Sequence, residues 1–176
     1  MVKRVVILGP ESTGKSTLSA QLAEHFNTVW VREYAREYLI LHGSTYNYDD
    51  LLLIAQGQVR GEDITLADVQ DNGLLFIDTD LHVIKVWCEF VFGKCHSWIL
   101  KEITRRPYDL YLLCDVDLPW IADELREYPD LKTRKTLFHY FRDILINQPV
   151  PWTTISGSYD QRLQTAINCV DELLST

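Results

Sequence analysis

Three features of the sequence predict an α/β fold built on a doubly wound, mostly parallel five-stranded sheet flanked by helices. Short apolar runs alternate with longer stretches of helical periodicity. The runs are continuous rather than alternating, as in strands covered on both faces. A glycine-rich turn, Gly9-Pro10-Glu11-Ser12-Thr13-Gly14-Lys15-Ser16, joins the first run to the first helical pattern.

That turn fills G-x-x-x-x-G-K-[ST] at every fixed position. The strand Val5 to Leu8 leads into it, and Leu18, Leu22 and Phe26 form one helical stripe behind it. Strand, turn and helix together are the setting of a P-loop NTPase. Glycines let backbone N–H groups ring an anion, and the helix N-terminus adds partial positive charge. Lys15 is placed to reach the β- and γ-phosphates, and the Ser16 hydroxyl to ligate Mg²⁺.

Four further strands follow. Thr28 to Arg32 is short and β-branched; Leu74 to Ile77 follows the breaker Asn72-Gly73; Leu110 to Cys114 follows Pro107-Tyr108-Asp109; Trp152 to Ile155 follows the turn from Pro149 to Pro151. Between them, residues 49–70 carry Leu52, Ile54, Ala55, Val59 and Ile64 at helical spacing. Residues 131–146 align Leu137, Phe138, Phe141 and Leu145, and residues 158–174 align Leu163, Ala166, Ile167, Val170 and Leu174. Asp117 and Pro119 open what reads as a short helix running to Arg126. With Lys132, Arg134 and Lys135 behind it, this segment suits a lid over the phosphates, Arg126 neutralising charge on the transferred group. Plain surface charge is the simpler reading of the same residues.

The totals exclude several classes. Length and composition fit one domain over residues 1–176. A net charge of −8 argues against nucleic-acid binding, which needs a basic patch. No apolar run approaches a membrane span, and a strand within a few residues of the N-terminus leaves no room for a signal peptide. Cys88, Cys95, Cys114 and Cys169 form no C-x-x-C pair or zinc spacing, and Cys114 sits in an apolar run, so reduced thiols in the cytoplasm are expected. The sequence sets no oligomeric state; a homo-oligomer is compatible with it.

In open parallel sheets the ligand lies beyond the carboxyl ends of the strands, and here those ends are polar. Asp78 closes the third strand, where a carboxylate beside a P-loop holds Mg²⁺; a helix N-cap is the structural alternative, and Asp80 could serve as that cap. Glu33 closes the second strand and could accept a proton from an acceptor hydroxyl, with Arg36 one turn on to orient that acceptor. A solvated face of alternating charge through Glu37 is the plainer account.

The runs GPESTGKST (9–17), REYAREY (32–38), FIDTD (76–80) and DLPWIADELR (117–126) resemble, in order and spacing, the kinase domain of NadR-type ribosylnicotinamide kinases and similar stand-alone bacterial P-loop proteins. The resemblance spans nearly the whole chain. It implies ATP- and Mg²⁺-dependent phosphorylation of the 5′-hydroxyl of nicotinamide riboside, giving nicotinamide mononucleotide. It implies catalytic roles for Lys15, Glu33, Asp78 and Arg126. ATP would be held by Gly9, Glu11, Ser12, Thr13, Gly14, Lys15, Ser16, Thr17 and Arg134, with Ser156, Gly157 and Tyr159 bordering the adenine. Mg²⁺ falls to Ser16 and Asp78, and the acceptor to Arg32, Arg36, Asp80 and Gln58. Arg32 stands where these kinases carry an aromatic that stacks on nicotinamide; Trp30, Trp87 and Tyr34 are alternatives for that role. The adenylyltransferase and DNA-binding portions of multidomain relatives have no counterpart in these 176 residues, so the kinase alone is expected.

Two other classes stay open at this level. A regulatory nucleotide-binding module would share the P-loop, although the N/T-K-x-D signature of guanine switches is missing after the fourth strand, where Cys114-Asp115-Val116-Asp117 stands. A subunit of a larger ATPase machine would need additions for which a chain of 176 residues has little room.

Overall fold

The computed structural model describes residues 1–70 and 73–175; Asn72, of the breaker pair before the third strand, lies outside them. The elements run β1 (Lys3–Leu8), α1 (Lys15–His25), β2 (Val29–Val31), α2 (Tyr34–His42), α3 (Tyr48–Asp68), β3 (Leu74–Asp78), α4 (Leu81–Phe92), α5 (Ser97–Arg105), β4 (Leu110–Cys114), α6 (Leu131–Ile146), β5 (Trp152–Ile155) and α7 (Tyr159–Leu174). The five strands pair in parallel in the order β2-β3-β1-β4-β5. From β1 the chain runs to the edge at β2, returns to β3 beside β1, then crosses to β4 and on to β5, so the switch falls at the carboxyl end of β1, where ligands bind in such sheets.

Alternation along β1 divides the core. Val5 and Ile7 face α1 and α7, packing with Leu22, Phe76, Leu112 and Val170. Val6 and Leu8 face the other layer, with Ile77, Leu113, Val86 and Phe138. A third cluster is all helical: Tyr38, Leu51, Ile54, Ile84, Cys88 and Ile99 join α2, α3, α4 and α5. It stands beside the sheet and forms one wall of the site. No helix among the described residues is long and apolar enough to cross a membrane.

Three elements differ from the sequence expectation. The α3 stripe runs through Leu51, Ile54, Ala55, Gln58 and Glu62, while Ile64 is 61% exposed. Gln58 and Glu62 are buried because partners satisfy them: the Tyr34 amide and the Tyr108 hydroxyl donate to them at 2.8 and 2.9 Å. Leu174, expected on the α7 stripe, is 47% exposed at the helix end. The segment from Asp117 to Arg126 is a series of turns, not a helix. Its amides find side chains instead of helical carbonyls: Ile121 N–H donates to Ser12 Oγ at 3.0 Å, and Leu125 N–H to Asp123 Oδ1 at 3.0 Å. Asp117 accepts from Gly157 N–H at 2.6 Å and pairs with Arg162, so it caps nothing.

Gly57 on α3 is required by close approach. A Cβ there would lie 2.0 Å from Cε1 of Tyr34, whose ring occupies that space. Gly57→Ala should therefore lower the urea midpoint even though alanine gains about 1 kcal/mol of helix propensity, because overpacking costs about 1–3 kcal/mol. A midpoint above wild type would show that the ring moves freely.

Candidate active site

The P-loop is shaped by its own strained backbone. Gly9 (φ 145°), Ser12 (φ 56°) and Gly14 (φ 79°) all take positive φ. A side chain at Gly9 would meet the Cys114 carbonyl at 2.7 Å. Thr13 Oγ1 donates to the Pro10 carbonyl at 2.7 Å, and Lys15 Nζ to the same oxygen at 3.1 Å.

Register delivers the acid. Ile7 pairs with Asp78, so the carboxylate at the end of β3 stands beside the start of the loop. Ser16 Oγ donates to Asp78 Oδ2 at 2.5 Å. Asp78 Oδ1 is buried without a hydrogen-bond partner. A hydroxyl and a carboxylate with a spare oxygen at the phosphate loop fit Mg²⁺, a hard cation that takes oxygen ligands. Burial first, then the nearby Glu33 carboxylate, raise the Asp78 carboxyl to about 7. The next residue, Thr79, holds φ 74° although it is β-branched, a strained geometry of the kind found at functional sites. Its amide is anchored to the Ile7 carbonyl at 3.0 Å.

One cavity of about 430 Å³ joins the P-loop to the helical wall. On the loop side lie residues 9–17 and Arg126. On the other side lie Glu33, Arg36, Leu39, Val83, Val86, Trp87 and Phe90, closed over by Asp123, Leu125, Glu127 and Tyr128. Arg36 is held by Asp123 through two hydrogen bonds, the shorter 2.7 Å. Glu33 sits at the N-terminus of α2 and accepts from Thr79 Oγ1 at 3.4 Å.

The lid rests on the P-loop. Glu11 Oε2 accepts the amides of Glu127 and Tyr128 at 3.0 and 3.1 Å, and burial raises the Glu11 carboxyl above its ordinary value. Arg126 reaches Ser12 Oγ at 3.4 Å, and Arg134 donates to the Ser12 carbonyl at 3.1 Å. Trp120 has the Arg126 and Arg134 guanidinium carbons 5.9 and 5.4 Å from its ring centroid.

The structure thus brings the nine loop residues, Glu33, Arg36 and Arg126 to one cavity, with Asp78 beneath the loop hydroxyl. Others go elsewhere. Asp80 is buried as the cap of α4, accepting from His82 N–H at 3.0 Å, and does not line the cavity. Arg32 is exposed and lies over Trp30, 5.5 Å from its ring centroid, away from the cavity. Gln58 works one layer back, its Nε2 3.5 Å from the Asp78 carbonyl. Arg134 is buried behind Ser12. Ser156, Gly157 and Tyr159 also lie outside the lining, though Tyr159 Cε1 would be 3.5 Å from a Cβ at Gly14. Of the three aromatic alternatives, Trp87 alone lines the cavity; Tyr34 packs over Gly57.

One positioning residue went unread. Arg162 is 3% exposed, donates to the carbonyls of Gly157, Thr13 and Asp115 at 2.9, 2.9 and 3.0 Å, and pairs with Asp117. It locks the P-loop to the ends of β4 and β5. Its signal was the four-residue spacing Arg162, Ala166, Val170, which puts an arginine on a buried stripe.

Comparison with known proteins follows the same lines. The sequence profile of the AAA domain matches residues 4–162. The trifunctional NAD biosynthesis/regulator proteins NadR of Salmonella typhimurium (strain LT2) and Escherichia coli (strain K12) are each 31% identical over 98% of this chain and 43% of their own length. The chain thus spans less than half of these curated relatives. Among solved structures, NadR protein in complex with NAD and AMP-PNP superposes with a TM-score of 0.78 at 26% identity, covering 99% of this chain and 50% of that one. NadR protein in complex with NR gives 0.79 at 25% identity, covering 99% and 52%. Thymidylate kinase from Ehrlichia chaffeensis shares the fold, with a TM-score of 0.69 at 17% identity over 98% of each chain.

His82 offers a pH test of the packing behind Asp78. Its Nδ1 lies 2.6 Å from Asp80 Oδ2. Burial pulls the imidazole down, but the Asp80 charge and hydrogen bond outweigh it, and the net shift is upward. A raised folded-state value stabilises the fold below the unfolded value of about 6.5, and that contribution is lost as pH rises through the folded value. The stability deficit of His82→Gln against wild type should therefore grow as pH falls from about 8 to about 6 in urea titrations. A deficit that is constant with pH would show that the imidazole stays neutral.

Proposed function

The chain belongs to the AAA domain family, in the branch typified by the NadR kinase domain, and from that footing we propose that it transfers the γ-phosphoryl group of ATP to the 5′-hydroxyl of a nucleoside, nicotinamide riboside foremost. The observation that carries this reading is the shared cavity. A phosphate loop and a pocket walled by Leu39, Val83, Val86 and Trp87 meet with Glu33 at the junction. The relatives' complexes with NR and with AMP-PNP support the same pair of ligands.

Charge argues for a nucleoside over a nucleotide as acceptor. Three carboxylates, Glu33, Asp123 and Glu127, line the acceptor half, and its arginine, Arg36, is committed to Asp123. A phosphate on the acceptor would meet net negative charge there, whereas a neutral sugar or a cationic ring would not. Trp87 supplies the flat face on which a base stacks, the role for which Arg32 is displaced.

The chain's own residues divide the work. Backbone N–H groups of residues 11–16 and the Lys15 ammonium hold the triphosphate. Ser16 and Asp78 would hold Mg²⁺, which neutralises charge between the phosphates. Glu33 orients the acceptor hydroxyl and takes its proton. The lid carries Arg126 over the transferred group and keeps water out. Four free cysteines suit a reducing cytoplasm.

A coupled ADP-release assay with Mg·ATP and a panel of nucleosides and nucleoside monophosphates tests the reading. Release should depend on a nucleoside, with nicotinamide riboside preferred. Lys15→Ala should cut turnover about a hundredfold or more. Trp87→Leu should raise the acceptor KM about tenfold while leaving the ATP KM near wild type. Tight ATP binding with no release for any acceptor would overturn the kinase in favour of a regulatory module.

A further inference from the structure

A line of hydrogen bonds runs from the acceptor pocket to the lid through a residue that lies outside the cavity. Trp87 Nε1–H donates to Tyr46 Oη at 2.9 Å, and the Tyr46 hydroxyl donates to Glu127 Oε2 at 2.9 Å. Glu127 N–H then donates to Glu11 Oε2 of the P-loop at 3.0 Å. The polarity of the line is fixed at both ends: an indole nitrogen can only donate, and a carboxylate can only accept. The Tyr46 oxygen therefore uses both of its capacities, and its rotor has one setting. Its ring meets Trp87 edge-on, with centroids 4.9 Å apart and an interplanar angle of 73°, and touches Phe92 at 6.3 Å. Burial raises the hydroxyl above its ordinary value, which keeps the proton on it.

Tyr46 lies between α2 and α3, on the helical wall, whereas Glu127 belongs to the lid. The line thus spans the two bodies that must meet when the cavity closes. Arg36 and Asp123 make a second tie between the same bodies, but that pair is exposed and open to screening. The Tyr46 line differs in reaching the indole that walls the acceptor: its Trp87 bond is half-buried, while its Glu127 bond is exposed like the Arg36 pair.

We propose that Tyr46 is a positioning residue that couples the Trp87 wall of the acceptor pocket to closure of the lid over the P-loop. An acceptor that orders Trp87 thereby orders the lid, and water is excluded from the phosphoryl group only when its proper acceptor is present. This rests on the kinase reading of the cavity.

Tyr46→Phe keeps the ring contacts and removes both hydrogen bonds. Limited chymotrypsinolysis of the ligand-free chain reads the lid directly, at the Trp120–Ile121 bond within it, which neither substituted residue adjoins. Cleavage there should be about tenfold faster in Tyr46→Phe, the change expected from losing a hydrogen bond to a carboxylate. Glu127→Ala should match it, the double variant should add nothing further, and Glu127→Gln, which retains a side-chain oxygen to accept, should stay at the wild-type rate. With acceptor and Mg·ATP, ADP released per acceptor phosphorylated should rise above the wild-type ratio in Tyr46→Phe, a leak that a merely structural role would not produce. Wild-type cleavage in Tyr46→Phe, additive effects in the double variant, or an unchanged ratio would overturn the proposal. If Tyr46→Phe does not fold, Glu127→Ala on the exposed lid decides the matter by the same cleavage. If the wild-type chain releases no acceptor-dependent ADP, the kinase reading fails, while the cleavage rates still judge the line itself.

Discussion

A carboxylate shut away from water beside another carboxylate is the constraint around which this molecule is arranged. Asp78 is 1% exposed, and both its burial and Glu33 oppose its charge. Such a group persists only when its surroundings over-determine it. Here the parallel register with Ile7 sets its depth, Ser16 donates to one oxygen, and Gln58 approaches the carbonyl of the same residue. Gln58 in turn accepts from the Tyr34 amide, so the beginning of α2, and Glu33 with it, is indexed to the end of β3. The strained Thr79 turn then releases the chain into α4. A divalent cation held there would offset the cost of this arrangement, because its positive charge opposes the repulsion between the two carboxylates.

The lid illustrates how a segment without regular structure can still be well defined. Its amides are satisfied by Glu11, Ser12 and Asp123 rather than by a helical ladder. Two of those acceptors belong to the P-loop, so the nucleotide-binding turn doubles as the lid's seat. Trp120 packs with two guanidinium groups over the same loop, and burial holds the Arg134 guanidinium below its ordinary value. Bonds made to side chains break and reform without unwinding a helix.

Beneath the site lies a second polar layer. Glu62 is 1% exposed and accepts from Tyr108 at 2.9 Å, with Arg4 and Arg106 at 3.4 and 3.3 Å. Asp80 and His82 adjoin it through Tyr111, whose hydroxyl reaches Asp80 Oδ2 at 3.4 Å. Each of these side chains has a partner, though Arg106 Nε is buried without a hydrogen bond; satisfied contacts of this kind rigidify a fold. The network joins α3, the start of α4 and β4, so the helical wall of the cavity is held by polar contacts as well as by its apolar cluster.

The sequence by itself determined the sheet, the phosphate loop and the strand-end carboxylates, because each is a local signal: a continuous apolar run, a fixed glycine spacing, an acid closing a strand. It also named Trp87 as one of three possible aromatic walls. Only the tertiary structure chose among them, since that choice depends on which face of α4 turns toward the P-loop and on the space that Gly57 leaves for Tyr34. For the same reason Asp80 and Arg32, which lie one or two positions from Asp78 and Glu33, take other places: Asp80 caps α4 and Arg32 lies over a neighbouring indole. The lid read as a helix because Asp117 and Pro119 are good helix openers, yet its donors and acceptors were taken by residues more than a hundred positions away. Periodicity records the buried faces of a chain, so the four-residue spacing marks Arg162 as buried; long-range hydrogen bonds between polar groups leave no period, and only the folded segments show what Arg162 and Tyr46 hold together.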